Sequence, residues 1–254
     1  MAPSRRPHAV RVTLAALALA APLAAGAAPP PEKLLALAEP AGVARLLGVD
    51  RPAPGAPLVV ILPDTLGEDG RSEPYVDALL ARGIASLVIS LAEAGDLPTG
   101  EPPPRGGPAA LAVALAWAER AGGQRIGLLG FGAGARTALA GAGGRRVVAL
   151  YPRCAGLPAA SGPALILQGA RDAEGCGEEV TRLEGASHGW DAPAGAWSGT
   201  GPLLPDPADP ARRLRAEPDA EATRRAADFA AVWMAWRLEP PAPGAQAAAA
   251  GERR

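Results

Sequence analysis

Unbroken apolar runs alternate along this chain with amphipathic stretches, and that alternation sets the expected architecture. Leu58–Leu62 carries no polar residue between Pro57 and Pro63, the pattern of a central parallel strand buried on both faces. Ile84–Leu91, Ile126–Leu129, Arg145–Tyr151, Ala164–Gln168 and Val180–Leu183 read as further strands. Between them, Glu73–Arg82 places Tyr75-Val76 and Leu79-Leu80 at helical spacing, and Gly83 stops the helix. Ala109–Arg120 is a second helix, bearing Leu111, Leu115 and Trp117 and ended by Gly122-Gly123, and Ala135–Ala140 begins a third. Asp219–Leu238 is the closing helix, with Ala226, Phe229, Ala230, Trp233 and Trp236 on one apolar face. Upstream, Leu34–Leu47 is interrupted by Pro40 and Gly42 and reads as a short helix, then an edge strand over Val43–Val49. Gly95–Pro108 and Gly185–Gly201 read as loops. Strands alternating with helices predict an α/β fold, a mostly parallel sheet with helices on both faces and right-handed crossovers.

The length, 254 residues, suits one α/β domain with a sizeable core. A formal net charge of −1 gives no basic field for nucleic acid and no acidic block for a cationic partner. Lys33 is the sole lysine in a chain rich in Ala, Gly, Pro and Arg. Coding bias explains this, so a lone Gly or Ala says little about backbone demands. The N-terminus changes the picture. Arg5, Arg6 and Arg11 precede the apolar run Val12–Ala25, and Ala25-Gly26-Ala27 is a small-x-small cleavage site. This is a secretory leader, too short for a membrane span. Arg5-Arg6 leaves a twin-arginine route open beside the general secretory one, although Pro7-His8 matches it poorly. The expected organisation is a signal peptide over 1–27, one domain over 28–239 and a disordered Pro/Ala tail over 240–254. The mature protein is then periplasmic or secreted, without membrane contact after cleavage. In that compartment Cys154 and Cys176 fit one disulfide. Two thiols without nearby His or Cys do not make a metal site.

Candidate chemistry gathers where Ile126–Leu129 runs into Gly130-Phe131-Gly132-Ala133-Gly134 and then a helix. Strand, sharp turn and helix form the frame of a nucleophile elbow, G-x-S-x-G. Its central position here is Gly132, which has no side chain to attack with. Asp172 follows at the end of the strand Leu165–Gln168, and His188 lies in a loop after Val180–Leu183. Elbow, then acid, then His is the chain order of α/β-hydrolase triads. There the acid orients the imidazole and the imidazole takes the nucleophile's proton. Taken singly, the glycines make a tight turn, Asp172 caps a turn and His188 is a loop histidine. Ser187 adjoins His188 and Thr137 lies in the helix, so neither reaches the apex.

From about Leu58 to Leu238 the chain resembles the dienelactone hydrolase family of α/β-hydrolases. The resemblance rests on Pro63-Asp64-Thr65-Leu66-Gly67, on Tyr75–Gly83, on Gln168-Gly169-Ala170-Arg171-Asp172 and on the start of the closing helix, Glu221–Ala226. Most specific is Gly185-Ala186-Ser187-His188-Gly189-Trp190-Asp191, similar to the family's G-x-x-H-x-F-D. It implies an α/β-hydrolase fold with Asp172 as acid and His188 as base. It also implies an oxyanion hole of the Thr65 and Ala133 backbone N–H groups, and no cofactor. Asp64 falls where dienelactone-cleaving members carry a Glu near the nucleophile. Exported members carry cysteines after the Tyr-Pro strand and after the acid loop, as at Cys154 and Cys176. The expected ligand is a small ester or lactone. Because the family has Cys or Ser at the position of Gly132, the expected function is that of a catalytically impaired hydrolase. The alternatives are a pseudoenzyme holding a small molecule or protein partner in the former cleft, and a hydrolase whose His188 activates water directly. A more remote alternative is a dinucleotide-binding oxidoreductase, since Gly130–Ala135 also fits G-x-G-x-x-A. No acidic residue lies between Ala135 and Arg171 to hold a ribose.

Overall fold

Apolar β-branched and leucine-rich runs become the strands of one eight-stranded sheet. These are β1 (Glu32–Ala36), β2 (Val43–Leu47), β3 (Pro57–Leu62), β4 (Ala85–Ile89), β5 (Arg125–Phe131), β6 (Arg146–Leu150), β7 (Ala164–Gly169) and β8 (Val180–Leu183). Their order is β1-β2-β4-β3-β5-β6-β7-β8. From β4 to β8 all neighbours pair in parallel, while β1 and β2 form an antiparallel edge. The computed structural model describes residues 30–38, 41–65, 67–89, 107–172, 175–193 and 201–239. The expected leader 1–27, the tail 240–254 and nearly all of the loop Gly95–Pro108 lie outside the described residues.

Alternate residues of the central strands feed two cores, as a period of two dictates. Leu58, Val60 and Leu128 pack with α2 (Pro108–Arg120) and α3 (Ala133–Gly141) on one face. Val59, Ile61, Leu129 and Phe131 pack with α1 (Glu73–Leu80) and α4 (Ala220–Arg237) on the other. Gly134 allows α3 to start close under β3. A Cβ at that position would lie 2.2 Å from the Pro63 carbonyl oxygen.

Three expectations are corrected. Leu34 lies in strand β1, not in a helix, because the short segment pairs residue by residue with β2 (Leu34 opposite Arg45). Helical spacing cannot prevail over so few residues when an edge strand offers a ladder. A second sheet, the hairpin β9 (Leu203–Asp206) and β10 (Asp209–Arg215), was not expected. Its Arg-rich second strand is almost wholly exposed and shows no alternation. Finally, the buried face of α4 is Ala222, Ala226, Ala227, Ala230, Ala231 and Met234, whereas Phe229 and Trp236 are exposed. Small residues let α4 lie close on the sheet, and the Arg237 guanidinium covers the Trp236 ring at 3.9 Å. Asp219 caps this helix rather than joining it, accepting from the N–H groups of Glu221 and Ala222.

Cys154 and Cys176 are joined, with Cα atoms 5.1 Å apart and a sequence separation of 22. Both thiols are therefore expected to resist alkylation until a reductant is added. Loop-closure entropy for a ring of this size gives a loss of about 3 kcal/mol on reduction. A denaturant melt with and without reductant measures it, and unchanged midpoints would show that the bridge contributes nothing to stability.

Candidate active site

The elbow is built by the handover from β5 to α3. Gly132 has φ 53° and ψ −113°, a left-handed region that strains any residue with a side chain. Its N–H donates to the Leu150 carbonyl of the neighbouring strand at 2.9 Å, and its carbonyl accepts from Arg136 N–H. The bend is thus fixed from both sides without help from a nucleophile.

Asp64 fills the space above it. The residue leaves β3 and is fully enclosed. A Cβ on Gly132 would stand 2.7 Å from Asp64 Oδ2 and 2.9 Å from its Cγ. The other oxygen, Oδ1, accepts from Thr65 N–H at 2.7 Å and from Ala133 N–H at 3.3 Å. These are the two backbone donors anticipated for an oxyanion. The structure does bring them together, and they converge on a carboxylate belonging to the chain itself. The N-terminal end of α3 adds its partial positive charge at the same point.

Asp172 closes a single 3-10 turn, Ala170–Asp172, at the end of β7. Its Oδ2 lies 3.3 Å from His188 Nδ1 and accepts from Gln168 Nε2 at 2.7 Å. Its Oδ1 is ion-paired with Arg153. Acid and histidine are therefore neighbours, but the carboxylate is shared with a guanidinium. His188 is buried, and neither ring nitrogen has a well-aligned hydrogen-bond partner among the described residues. Its ring stands edge-on to Tyr151, with centroids 5.1 Å apart. Arg153 was not anticipated from the sequence. It sits at φ 59°, beside Tyr151 at φ 40°, and its Nε also faces the buried Asp206 of β9 at 3.7 Å. Only the folding back of the β9–β10 hairpin brings that second carboxylate in.

Behind the elbow lies a buried polar network that spacing gave no sign of. Asp191 accepts from Tyr75 Oη at 2.8 Å and from Tyr151 Oη at 2.7 Å, while Trp190 Nε1 donates to Tyr75 Oη. Arg71 Nη1 donates to Tyr151 Oη at 3.3 Å and faces Asp64 Oδ2 at 3.6 Å. Burial opposes the Arg71 charge, but Tyr151, Asp69, Asp64 and Asp191 outweigh it and raise its pKa. Burial, reinforced by Asp191, likewise lifts the hydroxyls of Tyr75 and Tyr151 well above the usual tyrosine value.

Burial pushes the Asp191 carboxyl from 3.8 up to about 6, even though Arg71 and the two tyrosines pull it down. The folded protein thus holds this proton more tightly than the unfolded chain does. The stabilisation is complete below about pH 4 and is lost as the pH rises through 6. Two units amount to about 3 kcal/mol. Asp191→Asn keeps a hydrogen-bonding side chain but cannot ionise. Its unfolding free energy relative to the native protein is expected to improve between about pH 4 and pH 7 by that order. A difference independent of pH, in urea melts at the two values, would show that Asp191 does not titrate there.

Among the described residues, no group of three or more His, Cys, Asp or Glu side chains is placed to hold a metal ion. None of the described helices is long and apolar enough to cross a membrane.

No protein-family model matches the chain, and no curated protein matches it. Solved structures do. A dienelactone hydrolase from Anabaena variabilis superposes with a TM-score of 0.57 at 19% identity, over 83% of this chain and 99% of that one. The esterase domain of a Rhodothermus marinus protein gives 0.53 at 12% identity, over 82% and 100%. A dienelactone hydrolase-like promiscuous phosphotriesterase from metagenomic libraries gives 0.51 at 16% identity, over 83% and 99%.

Proposed function

We infer, from a chain that carries the α/β-hydrolase fold of the dienelactone hydrolases, that it descends from small-ester or lactone hydrolases and no longer hydrolyses esters through an acyl-enzyme. One observation carries this reading: the Asp64 carboxylate lies over Gly132 and accepts from both Thr65 and Ala133 N–H. An elbow nucleophile forms the acyl-enzyme, and two free N–H donors hold the oxyanion. Here the first is absent and the second are engaged. The same carboxylate speaks against His188-activated water acting on an ester, because a substrate carbonyl would find the donors taken. It also argues against a dinucleotide, whose pyrophosphate would need the N-terminus of α3.

The Asp172–His188 pair is read as a retained remnant, with Arg153 competing for the acid. The leader and the Cys154–Cys176 bridge support export to an oxidising compartment, where the old cleft is left to bind a small molecule or a partner. The test is p-nitrophenyl acetate hydrolysis by the native protein and by His188→Ala. Equal rates, both at the level of free imidazole-type background, are expected. A burst of p-nitrophenol that disappears in His188→Ala would overturn the reading.

A further inference from the structure

Helix α4 buries alanines and turns large apolar side chains outward. Phe229 is 44% exposed, Val232 50% and Trp236 59%. Of the six large hydrophobic side chains exposed among the described residues, half are on this one helix. Arg237 lies over the Trp236 ring, yet more than half of that residue stays open to solvent. The spacing is regular. Arg225, Phe229, Val232, Trp236 and Glu239 follow one another at intervals of four, three, four and three residues. That is the period of 3.5 by which one helix presents a continuous seam to another. The apolar positions lie in the middle, the half-exposed Arg225 at one end, and the exposed Glu239, just past the helix, at the other. With about 200 Å² for each aromatic side chain, the open apolar surface comes to roughly 300 Å², a size at which exposed patches are often functional.

The occupant follows from charge and side-chain size. Residues 240–254 contain only Pro, Ala, Gly, Gln, Glu and Arg, with no side chain large and apolar enough to meet two aromatic rings. A membrane surface calls for a basic polar face, whereas Glu221, Asp228 and Glu239 offset Arg224, Arg225 and Arg237. A second copy fits. Reversed end for end about Val232, the seam is its own complement. Arg225 of one copy meets Glu239 of the other, Phe229 meets Trp236, and Val232 meets Val232. A parallel pairing would set Arg225 against Arg225 and Glu239 against Glu239, and like charges repel. We propose that this protein forms an antiparallel two-fold dimer through the outer face of α4, with Phe229, Val232 and Trp236 as its apolar centre and Arg225–Glu239 pairs at its ends. Such isologous pairing is the commonest form of self-association. The two copies together bury roughly 600 Å² of apolar surface, at the small end of specific interfaces, so the dimer is reversible and forms at micromolar concentrations or above.

This contact goes beyond the ester-inactive reading and does not depend on the outcome of the ester assay. Sedimentation velocity of the full chain, over a series from low micromolar to submillimolar, tests it. A monomer–dimer exchange is expected, weakened at least about 100-fold by Phe229→Glu combined with Trp236→Glu. Arg225→Glu is expected to weaken it about 10-fold, and adding Glu239→Arg to restore it. That rescue fixes the orientation, because in a parallel dimer the double swap leaves like charges opposed. Val232→Cys supplies a single free thiol, since Cys154 and Cys176 are joined, and mild oxidation is expected to link two copies through it. A monomer at every concentration, or a dimer indifferent to the Phe229 and Trp236 substitutions, would overturn the proposal. So would a dimer that appears only when residues 240–254 are removed, or a monomer that sediments with anionic vesicles instead. The concentration series is read on the native chain, so it stands whatever the stability of the variants.

Discussion

Gly132→Ser on its own is expected to leave p-nitrophenyl acetate hydrolysis at background, and Gly132→Ser with Asp64→Ala to raise kcat by about 10³-fold or more. Restoring the hydroxyl alone is insufficient. Its Cβ would stand 2.7 Å from Asp64 Oδ2, closer than carbon and oxygen tolerate, and the oxyanion donors would stay bound to Oδ1. Removing Asp64 frees both donors and the space for the hydroxyl. Neither change acts without the other, so the effects are strongly non-additive, and a double-mutant cycle on kcat is the measurement. Backbone strain does not forbid the serine, because Gly132 already has the φ and ψ that an elbow imposes. Asp64→Ala does remove one partner from a buried pair, but Arg71 Nε retains Asp69 at 2.8 Å. Activity in Gly132→Ser equal to that of the double variant would show that Asp64 does not block the site. A folded but inert double variant would move the block to Asp172, which Arg153 holds on its other oxygen.

Trp190→Ala is expected to cost about 3–5 kcal/mol of unfolding free energy, a large part of what a domain possesses. Trp190 is fully buried, and its ring meets Tyr151 edge-on at 4.9 Å. Its Nε1 donates to Tyr75 Oη at 3.1 Å. Its carbonyl accepts from Asp219 N–H at 2.8 Å and from Thr223 Oγ1 at 3.0 Å, which fastens the His188 loop to the start of α4. Truncation leaves a cavity and removes the hydrogen bond that Tyr75 Oη accepts, while the one it donates to Asp191 remains. Trp190→Phe keeps most of the apolar area and loses the indole N–H bond, so about 1–2 kcal/mol is expected. Urea melts of the two variants decide this, and equal losses for Ala and Phe would mean that packing is not what the indole contributes.

The strands of the parallel core were legible because burial on both faces leaves an unmistakable run such as Leu58–Leu62. The edge was less so. Glu32–Ala36 has neither a continuous run nor a helix's length, and its conformation is settled by what it pairs with. The outer faces misled for a related reason. Phe229 and Trp236 look like core residues, yet alanines bury against the sheet, because close approach favours small side chains there. At the site, chain order was enough to nominate Asp172, His188 and Gly132 as neighbours in function. It held no information on Arg153 or Arg71, which are two of many arginines until the fold selects their partners.

From residues alone came the alternation of strand and helix, the bend at Gly132, and the lack of any side chain there, since each is local or periodic. Where the Asp64 carboxylate goes was decided by the tertiary structure alone. Its position depends on how far α3 rises beneath the end of β3, a distance set by Gly134 against Pro63. Spacing along a chain states which groups exist. Whether two backbone donors face a substrate or an internal carboxylate is a matter of a few ångströms between elements some seventy residues apart.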